Sequence, residues 1–231
     1  MMEIIPTRDG SYTLQSTRFE ATYHSTHGAL TEARHVFLEA GLQYVVEKMR
    51  HDRVESEILQ LIEVGSGTLM NAGVAFDHAQ KHGLKINYTG LELEPPDQHL
   101  LLEYWNSHPA ELRPACWQDL IVLYPDLFGE EPIYLGGQQI QIYRVDARQW
   151  VGPKNKAHLI FFDAFSPEAQ PEMWDDPFIG TVVEWMRPGG SLVTYCVKGE
   201  VRRRFIALGC AVEKLPGPPG KREMLRVHKP I

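Results

Sequence analysis

The sequence predicts an α/β protein: an open, mostly parallel sheet with helices on both faces, preceded by a small N-terminal β-hairpin. Three observations carry that reading. Apolar runs of strand length alternate with segments of helical periodicity along most of the chain. One run, residues 58–64, is apolar apart from Gln60 and Glu63, as a strand buried on both faces is, and it leads through Gly65 and Gly67 into a helix. Four runs end in an acid, at Glu63, Glu92, Asp146 and Asp163.

The elements follow in order. Residues 7–24 hold an Asp9-Gly10 turn, then segments 12–14 and 19–23, which read as the hairpin. Residues 24–28 read as a loop, whose histidines His24 and His27 are turn residues rather than metal ligands. Between Leu30 and Met49, the residues Ala33, Val36, Phe37, Ala40, Tyr44 and Val45 recur at helical spacing, with Gly41 a weak point. A helix is expected over 71–82, ended by Gly83. The strand 85–92 stops before Pro95-Pro96, and Asp97 is placed to cap a helix through Trp105.

Residues 108–138 are proline-punctuated and read as an insertion or lid, with 117–124 helical. Residues 133–145 read as a hairpin about Gly136-Gly137, and 158–163 as a buried strand. A helix over 171–186, a turn at 187–190 and a second buried strand over 191–197 follow. A helix over 200–208 closed by Gly209, then short strands at 211–214 and 224–227 around a Pro/Gly-rich loop, complete the reading.

A chain of 231 residues is long enough for one domain with a sizeable core. No apolar run approaches the roughly 20 residues that span a bilayer, and residues 1–6 lack the basic and apolar regions of a signal peptide. A cytoplasmic protein without a membrane partner is expected. Cys116, Cys196 and Cys210 are scattered without metal-type spacing and read as buried free thiols. The net charge of −7 is uneven: residues 198–231 carry nine Lys/Arg against Glu200, Glu213 and Glu223, which leaves −13 on the rest. A basic end on an acidic body suits a polyanion bound at that end.

The glycine pair decides little alone, since 19 Gly in 231 residues give about 1.5 Gly-x-Gly pairs by chance. Met70 stands where the dinucleotide fingerprint wants a third small residue, which counts against NAD or FAD. The acids are more informative. Ligands of open α/β sheets bind at the C-terminal strand edge, and Glu92 follows Gly67 at about the spacing of a ribose-binding acid. Buried carboxylates need partners. Four of them suit a ligand that is cationic and rich in hydroxyls and amines, a description S-adenosylmethionine meets. A metal is the competing account, but no histidine joins the acids and they lie on separate strands.

The chain also resembles a family. Thr31-Glu32-Ala33-Arg34-His35-Val36-Phe37-Leu38, Glu63-Val64-Gly65-Ser66-Gly67-Thr68, Asp163-Ala164-Phe165-Ser166-Pro167 with Pro171-Glu172-Met173-Trp174, Arg187-Pro188-Gly189-Gly190 and Gly220-Lys221-Arg222-Glu223-Met224-Leu225 are similar to the methyltransferase half of the bifunctional MnmC-type enzymes. Those enzymes finish 5-methylaminomethyl-2-thiouridine at the tRNA wobble position. The glycine loop is generic for class I methyltransferases; the Asp-x-Phe-x-Pro and Lys-Arg-Glu-Met-Leu segments are far more specific.

The resemblance implies a Rossmann-like class I methyltransferase fold with a mostly parallel seven-stranded sheet, and S-adenosylmethionine as cofactor. Carried over, Glu63, Gly65, Ser66, Gly67, Thr68 and Asn71 line the methionine end, Glu92 the ribose, and Asp146 with Ala147 the adenine. Asp163 would hold the substrate's aminomethyl group and serve as the catalytic residue. Leu69 stands where the family has another glycine, so a stiffer loop is expected. No FAD-dependent oxidase half follows, so the expected enzyme is stand-alone, with tRNA and a separate oxidase or upstream modification enzyme as partners.

The expected reaction is N-methylation of the primary amine of 5-aminomethyl-2-thiouridine, which is mostly protonated at neutral pH with a pKa of about 10 and needs a proton acceptor, Asp163. Phe165, Trp174 or Tyr195 is expected to stack on an extruded base, each with a place in the core as the alternative, and Arg202, Arg203, Lys221 and Arg222 to bind phosphates. Two rivals remain open: a class I methyltransferase or aminopropyltransferase acting on a small amine, and a non-catalytic adenosine- or RNA-binding module.

Overall fold

The computed structural model describes residues 2–51 and 58–231. Strands β1 (Glu3–Pro6), β2 (Tyr12–Ser16) and β3 (Ala21–Thr22) form a three-stranded antiparallel sheet. The expected hairpin is therefore a meander: Asp9-Gly10 joins β1 to β2, and Phe19 lies in the β2–β3 turn rather than in a strand. The Asp9 carboxylate accepts bonds from the Ser11 N–H (3.0 Å) and the Thr31 N–H (2.9 Å), which fastens this sheet to the helical rod that follows.

That rod is α1 (Ala29–Glu32), a π-helical stretch Ala33–Gln43, and α2 (Tyr44–His51). Gly41, expected as a weak point, is where the rod touches the sheet. A Cβ there would lie 2.9 Å from Val193 Cγ2 and 3.2 Å from Phe161 Cε1.

The main sheet comes from β4 (Leu59–Val64), β5 (Ile86–Glu92), β6 (Ile133–Leu135), β7 (Gln138–Arg144), β8 (Ala157–Phe162), β9 (Met186–Thr194), β10 (Ala211–Pro216) and β11 (Glu223–His228). Its order is β10-β11-β9-β8-β4-β5-β7-β6, so it has eight strands where seven were expected; the additional edge strand is β6, one arm of the Gly136-Gly137 hairpin. The pairs β9–β8, β8–β4, β4–β5 and β5–β7 are parallel. From β4 the chain first builds outward through β5 and β7, then returns to place β8 on the other side of β4. That reversal opens a crevice at the C-terminal edge.

Helices α3 (Met70–His82), α4 (Gln98–Ser107) and α5 (Trp117–Val122) belong to the apolar layer that also holds Val36, Phe37, Phe76 and Trp105. Helices α6 (Asp176–Trp185) and α7 (Gly199–Ala207) belong to the opposite layer, with Phe178, Trp185 and Phe205. The predicted ends hold: Gly83 closes α3 at φ +65°, and Asp97 Oδ1 accepts from the Leu100 N–H (2.9 Å) to cap α4.

Segment 108–138, expected as an insertion or lid, is packed: Leu120, Ile121, Tyr124 and Leu127 are buried in the core, and none of its residues lines the cleft at the C-terminal sheet edge. One expectation needs correction. Residues 187–190, expected as a turn, belong to β9. Ala157 pairs with Met186 but Leu159 with Ser191, so the intervening residues bulge out of register, with Gly189 at φ +73°.

Candidate active site

A cleft of about 590 Å³, counting its open mouth, lies at the C-terminal edge of β4, β5, β7 and β8. Its walls come from successive strand ends and loops: Gly65 and Gly67 after β4, Glu92 at the end of β5, Asp146 and Ala147 after β7, and Asp163–Phe165 after β8. Phe19, Tyr23 and His24 from the N-terminal sheet close one side.

The glycine loop is tight because protein packs against it on two sides. A Cβ on Gly65 (φ +84°) would lie 2.6 Å from the Asp163 carbonyl oxygen, and one on Gly67 (φ +43°) 2.7 Å from the Tyr23 ring. Leu69, in the position expected to stiffen the loop, adopts φ +61°, ψ +19°. Left-handed backbone costs a non-glycine residue about 1–2 kcal/mol. Burial of its side chain to 1% exposure offsets that strain.

Beneath the loop runs a buried polar chain. Glu63, 1% exposed, accepts from Asn71 Nδ2 (2.7 Å) and from the Tyr88 hydroxyl. The same Asn71 Nδ2 donates to Asp163 Oδ2 (2.8 Å), so one amide bridges two carboxyls. His24 Nδ1 stands 3.8 Å from Asp163 Oδ2, and its Nε2 is bonded to Thr68 Oγ1 (3.2 Å). Burial pushes the Glu63 carboxyl up to about 7, against the opposing bonds from Tyr88 and Asn71. Burial, reinforced by Glu32 and Glu63, raises Asp163 well above the usual carboxylate range. Burial drives His24 down to about 4, so its imidazole is neutral near pH 7.

The other two acids are placed differently. Glu92 accepts the Gly67 N–H (2.8 Å) and the Glu94 N–H (2.9 Å), stitching the glycine loop to the end of β5; burial raises its carboxyl. Asp146 binds Arg148 through Nε (3.0 Å) and an Nη (2.6 Å), bonds that hold its carboxyl below the ordinary value. Asp146 therefore already has a cation of its own, which tempers the expectation that all four acids await a ligand.

The structure brings Glu63, Asn71, Asp163 and Thr68 into one cluster and sets Gly65, Gly67, Glu92, Asp146, Ala147 and Phe165 around the cleft. Ser66, Thr68 and Asn71 lie beneath the loop and not on the cleft wall. Trp174 departs from expectation. It is 1% exposed, so no base reaches its ring, and its Nε1 donates to the Phe165 carbonyl (2.7 Å). Trp174 supports the residue it was expected to act beside. Lys221 also departs from expectation: its ammonium pairs with the buried Glu32 and lies 3.8 Å from the Tyr195 ring centroid, so it is a strut and not a free phosphate ligand. Arg203 and Arg222 are exposed and Arg202 half-buried.

Sequence reasoning missed Phe19, Tyr23, His24, Glu32 and Tyr88. Tyr88 had a readable signal, a hydroxyl in the middle of an apolar strand that requires a partner once buried. Glu32 and Lys221 had none, being 189 residues apart.

The cleft passes a chemical test for S-adenosylmethionine. Among the described residues, His24 Nδ1, Ser66 Oγ, Asn71 Oδ1 and Asp163 Oδ1 are buried without a hydrogen-bond partner in the protein. Two of them, His24 Nδ1 and Asp163 Oδ1, belong to residues that line the cleft, where unpaired polar atoms call for a polar ligand or bound water. Both can accept from a ligand carrying ammonium or hydroxyl donors.

Comparisons agree with this geometry. A family model described as S-adenosyl-L-methionine-dependent methyltransferase matches residues 115–230. The chain is similar to two proteins named tRNA 5-methylaminomethyl-2-thiouridine biosynthesis bifunctional protein MnmC. The one from Azoarcus is 30% identical over 91% of this chain and 33% of the relative. The one from Marinobacter nauticus is 31% identical over 94% of this chain and 35% of the relative. The chain thus spans about a third of the length of these relatives. The crystal structure of MnmC2 from Aquifex aeolicus superimposes with a TM-score of 0.77 at 24% identity, over 99% of this chain and 70% of that one, and shows the shared fold.

Proposed function

This chain belongs to the S-adenosyl-L-methionine-dependent methyltransferases, and from that premise we propose that it methylates the primary amine of 5-aminomethyl-2-thiouridine at the tRNA wobble position. The observation that carries the reading is the position of Asp163: a buried carboxyl at the cleft's end, two residues before an aromatic ring that also lines the cleft. An amine-bearing base fits that pair, carboxyl to amine and ring to ring. The names of the relatives support the same substrate.

Gly65, Gly67, Glu92 and Asp146 would hold the cofactor at the cleft wall, with Glu63 and Asn71 beneath. When bound, S-adenosylmethionine supplies an electrophilic methyl on a good leaving group. The remaining work falls to the chain. The substrate amine arrives protonated, with a pKa of about 10, and cannot attack in that form. Asp163 Oδ1 has no partner in the protein and is free to accept an amine N–H. Only the ionised carboxyl can take up that proton: an ammonium docked beside Asp163 favours the ionised form, and in its buried site that carboxylate is a stronger base than an exposed one. The neutral His24 beside it adds no competing positive charge.

Exposed Arg203 and Arg222, with half-buried Arg202, are the proposed tRNA phosphate contacts. Replacing either exposed arginine by Ala should weaken RNA binding and reduce its salt slope by about 1. An FAD-dependent oxidase supplying the amine, and a cytoplasmic location alongside tRNA, belong to the same reading.

The test is methyl-labelled S-adenosylmethionine with tRNA carrying 5-aminomethyl-2-thiouridine, followed by nucleoside analysis. Label is expected in 5-methylaminomethyl-2-thiouridine. Its absence while the cofactor binds would overturn the reading and favour a small-molecule amine.

A further inference from the structure

Phe165 has a stacking partner that no part of the proposed chemistry requires. Its ring lies on that of Phe19, with centroids 4.6 Å apart and planes inclined at 29°. Tyr23 meets Phe165 edge-on at 5.2 Å and 74°. All three rings line the cleft that Asp163 closes.

The two stacked rings are held very differently. Phe165 sits on a fixed segment: Trp174 Nε1 donates to its carbonyl (2.7 Å), and the Tyr195 hydroxyl donates to the carbonyl of the preceding Ala164 (2.8 Å). Phe19 sits at the tip of the β2–β3 turn, where β3 is two residues long and its register comprises Gln15↔Thr22 and Ser16↔Ala21. The tip's outer tether is an ion pair between Arg18 and Glu94, whose side chains are 54% and 37% exposed. Exposed pairs hold little in water. One ring is a fixed face, and the other is carried on a turn tip whose own bonds are the exposed ion pair and a Phe19 N–H to Ser16 Oγ contact (3.2 Å).

We propose that Phe19 and Phe165 are the two jaws of an aromatic clamp that takes the substrate's extruded pyrimidine between them, which makes Phe19 a base-holding residue. The inference rests on the base-methylating reading above. Stacked planes approach to about 3.5 Å, so a base between two rings needs about 7 Å and the Phe19 tip must swing outward by roughly 2.4 Å from the present 4.6 Å. Motion of that size at a loop tip is ordinary. Stacking on two faces would hold the base by a feature every pyrimidine has, and Asp163, two residues from Phe165, would then select the one bearing an amine.

A binding cycle on the full chain, with S-adenosylhomocysteine present, tests the clamp. Wild type and Phe19→Ala are each titrated with an anticodon stem-loop carrying 5-aminomethyl-2-thiouridine and with the same stem-loop abasic at that position. Wild type should bind the intact RNA about 10- to 100-fold more tightly than the abasic one, and Phe19→Ala should lose most of that preference. Phe19→Trp should restore the preference and Phe19→Leu should not. Cofactor affinity should stay within about 3-fold throughout. Equal loss on both RNAs, or a loss of cofactor affinity instead, would show that Phe19 is only a wall, and the clamp would fall while the function stood. A wild-type protein that does not distinguish the two RNAs would overturn both.

Discussion

Asp146 and Asp163 occupy matching places, each just past the C-terminal end of a parallel strand on the rim of one cleft, yet their carboxyls are driven in opposite directions. Asp146 is wrapped by Arg148 from its own loop, and those bonds hold it below the ordinary range. Asp163 is buried, faces Glu63 and Glu32, and shares a single amide donor with Glu63; its carboxyl is raised. One end of the cleft is electrostatically settled before any ligand arrives. The other is left unsatisfied, and that is the end where the proposed reaction would need a proton acceptor.

The largest test of that contrast is Asp163→Asn. If the raised carboxyl is the proton acceptor, methyl transfer should fall by about 10²- to 10⁴-fold while cofactor affinity, measured by equilibrium binding, changes little. Turnover near wild type would remove Asp163 from the mechanism.

Next comes the pH dependence of stability. Burial raises the Glu63 carboxyl to about 7 in the folded chain, against 4.5 for an ordinary glutamate. The folded chain therefore binds more protons between those values, and stability should fall as pH rises across that window, by on the order of 3 kcal/mol. Melting temperatures of Glu63→Gln should decline less over the same range. An identical decline would mean that Glu63 titrates like an exposed acid.

Asn71→Ala removes the amide shared by the two carboxyls and leaves each short of a donor. A loss of about 1–3 kcal/mol in denaturant unfolding is expected, larger than for a surface polar residue. The smallest effect should come from the settled end. Arg148→Ala breaks an exposed pair and should cost under about 1 kcal/mol, with transfer nearly intact. A large loss there would erase the contrast between the two ends.

Much of this was legible in sequence. The alternation of apolar runs and helical spacing gives the parallel sheet, Gly83 and Asp97 give helix ends, and the four strand-end acids give the ligand edge. Readings went astray where a distant contact overrode a local signal. Gly41 reads as helix-weakening because glycine is flexible, but Phe161 and Val193 need the space a side chain would fill. Arg187-Pro188-Gly189-Gly190 reads as a turn, and pairing with β8 draws it into a bulged strand. Trp174 and Lys221 have the chemistry of ligand-binding residues, and their partners Phe165 and Glu32 turn them into supports.

The sequence alone determined the order of strands and helices, the acidic edge, the basic end and the resemblance, because periodicity, turn chemistry and charge are properties of neighbouring residues. Which carboxyl is raised, and that Phe19 meets Phe165, were decided only by the tertiary structure. Burial and contact between residues as far apart as Asn71 and Asp163 exist only once the chain has closed on itself, and desolvation, the leading cause of the Asp163 shift, has no meaning before then.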